Sequence, residues 1–256
     1  MILESPLEVI MGCGHPEFDD NGRPTQTGGF HYMGGSETWK KIRSGHAGAD
    51  ADGDGKPDPW TLIENRKDFL SKTGIKKNKR LLGVAPAHQT TQQLRAPVCD
   101  RNSDGKFDAS DAALAENPFD DPPTQNVPTL AELAAAALRV LENDPDGFFL
   151  MIEGGAVDWA SHAGQSARLV EEMNDFNNAA KTVVKWVEQH GGWKQNFVIV
   201  TADHETGGLE IAQNNGKSRL PRMKWTNGNH TDRPVPLYAK GAGTGRFHEI
   251  ARKTGP

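Results

Sequence analysis

The sequence predicts an α/β fold, a mostly parallel sheet flanked by helices. Three observations predict it. Five short, near-continuous apolar runs are bounded by Gly, Pro or Asp, which suits strands covered on both faces. Two strongly helical stretches lie between them. Carboxylates and histidines gather just after the apolar runs, where open α/β sheets carry their working residues.

The runs, in order, are 7–11 (LEVIM), 81–84 (LLGV), 148–152 (FFLMI), 197–200 (FVIV) and 235–239 (VPLYA). Their alternation with helices argues for right-handed crossovers. The first helix begins at Thr129, because Thr129 with Glu132 three residues on forms a capping box ahead of an alanine-rich body. The second spans about 165–189, where Leu169, Met173, Phe176, Ala180, Val184 and Val187 recur at three- and four-residue steps. Gly191 and Gly192 stop it. The segment 13–125 is rich in Gly, Pro, Asp and Asn, and reads as a loop-rich insertion within a single domain of 1–256. Its basic run from Lys72 to Arg80 reads as a solvated face.

Composition excludes several classes. Lys plus Arg is 29 against 34 Asp plus Glu, so no concentrated basic face argues for nucleic acid. No apolar run approaches the roughly 20 residues of a membrane span. The opening residues MILESPLEVIMG lack the basic and long apolar regions of a secretory signal. Two cysteines, Cys13 and Cys99, either pair or remain thiols. Acidic residues cluster around 50–58, 100–121 and 142–158, which points to hard cations.

The stretch FFLMIEGGAVDWASH organises the chain. Its apolar run ends at Glu153, and Asp158 and His162 follow one helical turn apart. The run 197–200 delivers Asp203 and His204 side by side, and His230 sits in a loop before the last run. Taken singly, an Asp after a strand is more often a helix cap, and a His in a loop more often a surface residue. Six such residues at one end of a parallel sheet favour a metal centre. Mixed nitrogen and oxygen ligands suit zinc or a related ion.

These motifs resemble those of the alkaline phosphatases. Glu153-x4-Asp158-x3-His162, then TADHETGG from Thr201, then His230-Thr231 ahead of Val235-Pro236, match that family in spacing and order. The resemblance implies two zinc ions and one magnesium. Asp158, His162 and His230 correspond to the ligands of the first zinc, Asp203 and His204 to those of the second, and Glu153 to the magnesium site. It implies hydrolysis of phosphate monoesters through a phosphoserine, with paired cations neutralising charge on the transferring group. The intact protein is expected to be periplasmic or secreted, because the acidic loops at 50–58 and 100–111 suit the millimolar calcium found outside cells. The partners expected are a phosphate monoester and, as an open alternative, a second copy of the chain.

The chain departs from the family pattern in three respects. No Asp-Ser-Ala nucleophile motif occurs in it, so no catalytic serine is assigned. The phosphate-gripping arginine and an N-terminal aspartate ligand also find no counterpart. The expectation is therefore a metal-binding C-terminal portion, weakly active or inactive alone. The alternatives are a non-catalytic zinc- or calcium-binding module, or a relative acting on phosphodiesters or sulfates.

Two acidic loops resemble the calcium loops of EF-hands and dockerins. In the first, Asp100, Asn102, Asp104, Asp108 and Asp111 supply side-chain oxygens, Lys106 its carbonyl, and Gly105 the sharp turn. In the second, Asp50, Asp52, Asp54 and Asp58 match, but Thr61 stands at the twelfth position. The first matches the pattern better. Both would bind structural calcium.

Overall fold

The structure is a computed structural model that describes residues 2–26, 29–71, 80–247 and 249–250. Its centre is a three-stranded parallel sheet of β1 (Val9–Gly12), β2 (Thr61–Ile63) and β3 (Leu81–Val84), in the order β1-β3-β2. Val9 and Thr61 both pair with Leu81. The run LLGV is buried throughout, as its unbroken apolar character requires. Strand alternation sends its side chains to two layers. Leu82 and Val84 pack with Met33, Trp39, Ile42, Ala47 and Trp60, around helix α1 (Ser36–Arg43). Leu81 packs with Phe69, Leu133, Ala136 and Val140 on the opposite face. Phe69 ends the short helix α2 (Arg66–Phe69). Gly83 is required there: a Cβ would stand 2.5 Å from the Phe69 ring and 2.9 Å from Met11. Strands β2 and β3, and helices α1 and α2, all fall within the segment 13–125.

The basic run 72–79 lies outside the described residues, but Arg80 is described and is not a solvated residue. It is 3% exposed. Its guanidinium donates to the carbonyls of Ser5, Leu7, Ala49 and Asp58 and lies 3.8 Å over the Trp60 ring. Satisfied donors and an aromatic face offset the loss of hydration.

After a short helix α3 (Ala109–Ala113), helix α4 (Leu130–Leu141) starts at Thr129. Thr129 Oγ1 accepts from the Glu132 amide, and Glu132 accepts from the Thr129 amide. It packs against β1 and against the long helix α6 (Ser166–Gln189). The buried side of α6 departs from the expected apolar stripe. Met173 is 39% exposed, whereas Arg168, Glu171 and Glu172 are buried. The cause is the loop that α6 faces, which offers charges. Arg95 reaches Glu171 at 2.7 Å, and Asp121 meets Arg168 and Arg101 at 2.9 Å each.

The expected strand at 148–152 forms no ladder among the described residues. It keeps a strand's alternation: Phe149 and Met151 are 90% and 76% exposed, while Leu150 and Ile152 are partly covered. Phe148 lies edge-on to Trp186 of α6, and Gly154 lies against Phe176 of the same helix. One face is therefore packed, but a strand also needs a neighbouring edge. Strands β4 (Phe197–Val200) and β9 (Tyr238–Gly241) form a separate antiparallel pair, not a parallel buried one. Phe197 and Ile199 stay 42% and 43% exposed on its open face. The last strand starts at Tyr238 rather than at 235, because Pro236 has no amide to give a ladder. Both cysteines are free thiols. Burial first, then the charges of Asp20 and Glu172, push the Cys13 thiol up to about 12.

Candidate metal centre

Helix α5 (Ala156–His162) carries Asp158 in its first turn and His162 in its last. A four-residue step on a helix puts both side chains on one face. The second contribution comes from β5 (Glu205–Thr206), just after Asp203 and His204. The third comes from β8 (His230–Thr231), which pairs antiparallel with β5 so that His230 stands opposite Thr206. Two further strands, β6 (Glu210–Gln213) and β7 (Arg222–Lys224), form the antiparallel pair that separates β5 from β8 in the chain.

The turn after β5 is fastened from within. Glu205 accepts from the amides of Gly208 and Leu209 and from the Thr231 hydroxyl of β8. Desolvation works to raise the Glu205 carboxyl, but the Thr231 hydroxyl and those amides outweigh it, leaving its pKa below the ordinary value. Gly207 holds φ +82°, and a Cβ there would lie 2.4 Å from Trp225.

These elements bring three groups together. Asp158 Oδ1 lies 3.3 Å from His162 Nε2 and 3.3 Å from His230 Nε2. The two Nε2 atoms are 3.1 Å apart. Bonds of about 2.0–2.1 Å to a tetrahedral ion put neighbouring ligands roughly 3.3 Å apart, so this triangle has the edge lengths of a zinc site. The ring orientation agrees. His162 Nδ1 lies 2.7 Å from the Gly228 carbonyl, which accepts only from Nδ1–H and so leaves Nε2 with its lone pair. Beside this set, His204 stacks on His230 with centroids 3.5 Å apart, and its Nε2 lies 3.3 Å from Asp203 Oδ2. A cleft of about 340 Å³, lined by Gln93, Leu94, Trp159, His162 and Ala163, opens next to His162.

The other expected ligands divide. Glu153 is exposed and joins neither group of three or more ligand residues found among the described residues. The second of those groups is Asp50, Asp52 and Asp58. The loop at 100–111 yields no such group, although sequence matching ranks it first. Its Asp111 is buried and already accepts from the amides of Arg101, Asn102 and Asp108. Both loops nevertheless share one bond pattern. Asp50 accepts from the Gly55 amide and Asp100 from that of Gly105, while Asp54 and Asp104 accept from Lys56 and Lys106.

Comparison with known proteins decides the family. The family model for alkaline phosphatase matches residues 1–254. The chain belongs to the alkaline phosphatase family. Alkaline phosphatase 3 of Bacillus subtilis is 39% identical over 88 residues, covering 34% of this chain and 18% of that protein. Alkaline phosphatase 4 of the same organism is 30% identical over 157 residues, covering 61% of this chain and 32% of that protein. The chain thus spans about a third or less of the length of these relatives. A cold-active alkaline phosphatase from a psychrophilic Shewanella superposes with a TM-score of 0.54 at 17% identity, over 92% of this chain and 60% of that one. That likeness concerns the fold. Members of the family are metal-dependent phosphatases, and Asp158, His162 and His230 form a group that could hold a metal ion.

Sequence reasoning assigned no role to Glu205, Thr206 or the Gly228 carbonyl. A signal existed for Thr206: on an extended backbone, positions 204 and 206 share a face.

Proposed function

We propose that this chain is the metal-binding portion of a phosphate monoester hydrolase. Asp158, His162 and His230 would hold one zinc. Asp203 and His204 would contribute to a second, and Glu153 to a magnesium site. When bound, the cations would neutralise charge on the transferring phosphoryl group and clamp the entering and leaving oxygens. The chain's own residues would position them: α5 fixes two ligands on a rigid helix, and the β5–β8 ladder sets the third against them. The observation that carries this reading is the Asp158–His162–His230 triangle, with sides of 3.1–3.3 Å.

Metal analysis of protein purified without chelators tests it. At least one tightly held zinc per chain, lost in His230→Ala, is the expected result. Protein that retains no zinc contradicts the proposal. Catalysis is a separate matter, because the sequence contains no Asp-Ser-Ala motif. That absence favours a non-catalytic state of this polypeptide by itself. Turnover of p-nitrophenyl phosphate at alkaline pH with zinc and magnesium is expected to be near background. Rates typical of a complete family enzyme would overturn this part.

The loops at 50–58 and 100–111 would hold structural calcium, with Asp50, Asp52 and Asp58 the better-gathered set. Calcium is expected to raise the melting temperature over EGTA, and identical melts would exclude both sites. The intact protein would be periplasmic or secreted, where calcium is abundant. No helix among the described residues is long and apolar enough to cross a membrane.

A further inference from the structure

We infer that the Thr206 hydroxyl is a positioning group shared by the two zinc ligand sets, setting the tautomer of His204 while orienting Asp158. The inference rests on the metal-binding reading above and adds a residue to it. Thr206 Oγ1 lies 2.5 Å from Asp158 Oδ1 and 3.3 Å from His204 Nδ1. A hydroxyl has one proton to donate, and a carboxylate only accepts. The proton therefore goes to Asp158, and the short distance is that of a charge-assisted bond. Nδ1 of His204 must then be the donor to Thr206. Nε2 of His204 then faces Asp203 Oδ2 at 3.3 Å, on the side where a metal would be met.

Three features make this a built arrangement. Thr206 is 9% exposed, whereas its partners Asp158 and His204 present 30% and 28% of their side chains. The hydroxyl is thus on the covered side of its two partners. Thr206 is held in register by the β5–β8 ladder, directly opposite His230. The same solution recurs at His162, where the Gly228 carbonyl takes the Nδ1 proton. Each imidazole so held turns Nε2 toward the ligand set, the orientation that metal binding requires. Thr206 differs from Gly228 in touching both sets at once. Its hydroxyl donates to the carboxylate of one and accepts from the imidazole of the other.

The test uses the full chain and three variants, Thr206→Val, Thr206→Ser and His230→Ala. Zinc affinity is measured by chelator competition, and the His204 tautomer by nitrogen-15 NMR of zinc-free protein. Thr206→Val keeps the shape and loses the hydroxyl, so zinc binding is expected to weaken about 10- to 100-fold. Thr206→Ser is expected to stay within about threefold of the parent, on the same outer-shell scale. In the zinc-free parent, His204 is expected to carry a proton on Nδ1, and in Thr206→Val to shift toward the Nε2–H form that Asp203 favours. A Thr206→Val protein that binds zinc as the parent does, or a parent His204 with no proton on Nδ1, overturns the inference. A parent indistinguishable from His230→Ala in zinc binding instead overturns the metal-site reading, while the tautomer measurement still judges Thr206.

Discussion

His230→Ala removes one corner of the ligand triangle and leaves Asp158 and His162 on their helix. Its effect follows from linkage. A ligand that binds only the folded state at 100 times its Kd stabilises by about 2.7 kcal/mol. For a chain of this size each kcal/mol moves Tm by roughly 2–4 °C, so zinc is expected to raise Tm by about 5–11 °C. Loss of an outer-shell partner alone costs up to about 100-fold in metal affinity, and loss of a ligand costs at least that. At the same zinc concentration the variant then stands near its own Kd. The remaining stabilisation is about 0.4 kcal/mol, or roughly 1 °C. The unfolded chain carries nine histidines and two cysteines that also bind zinc, which lowers both shifts. Since the variant keeps eight of those histidines, the difference between the proteins survives. The assay is a thermal melt with zinc against EDTA, at fixed protein concentration. A variant that keeps the parent's zinc shift refutes the assignment of His230 and, with it, the triangle.

Three further outcomes are expected. Asp121→Asn removes the carboxylate 2.9 Å from the Arg168 guanidinium, 1% exposed, leaving it the more distant Glu171 at 3.5 Å, and is expected to cost about 3 kcal/mol. A fall in Tm of under about 2 °C would contradict that network. Glu172 is buried beside Asp175 and Glu171, and burial first, then those charges, raises its pKa from 4.5 to about 7. A carboxyl raised on folding gives stability that is complete below pH 4.5 and lost as pH rises through 7. Glu172→Gln is therefore expected to stabilise at pH 8, on the order of 3 kcal/mol, and to be neutral near pH 4.5. Equal gains at both pH values in urea titrations would exclude this origin. Cys99 is exposed, whereas Cys13 has a thiol held up to about 12, so one thiol is expected to react with Ellman's reagent in the native protein and two in denaturant. Two fast native thiols would refute it.

Local signals in the sequence were read well where one element settles its own structure. The capping box at Thr129 starts α4, and the four-residue step from Asp158 to His162 lies on α5. The run LLGV is the fully buried central strand that its composition requires. Signals that depend on partners were read less well. Phe148 to Ile152 has the apolar content of a strand, but pairing needs an adjacent edge, and the described residues supply none. The buried side of α6 could not be inferred from its apolar spacing, because Arg95, Arg101 and Asp121 come from a distant loop. The same distinction explains Arg80, whose four carbonyl acceptors lie 22 to 75 residues away in the chain.

The centre itself shows how far ligand spacing can go. Asp158 and His162 are a local pair, and a local motif is sufficient to bring them together. His230 is 68 residues beyond His162, and its place depends on the β5–β8 ladder, on Glu205 fastening that ladder to the turn, and on glycine at position 207 beside Trp225. Each of these devices is made of residues that carry no ligand atom. A ligand motif therefore predicts which atoms a metal would meet, while the intervening hydrogen bonds determine whether those atoms meet each other. In this chain they bring three ligand atoms within 3.3 Å of one another, so metal retention should be as sensitive to loss of these bonds as to loss of a ligand.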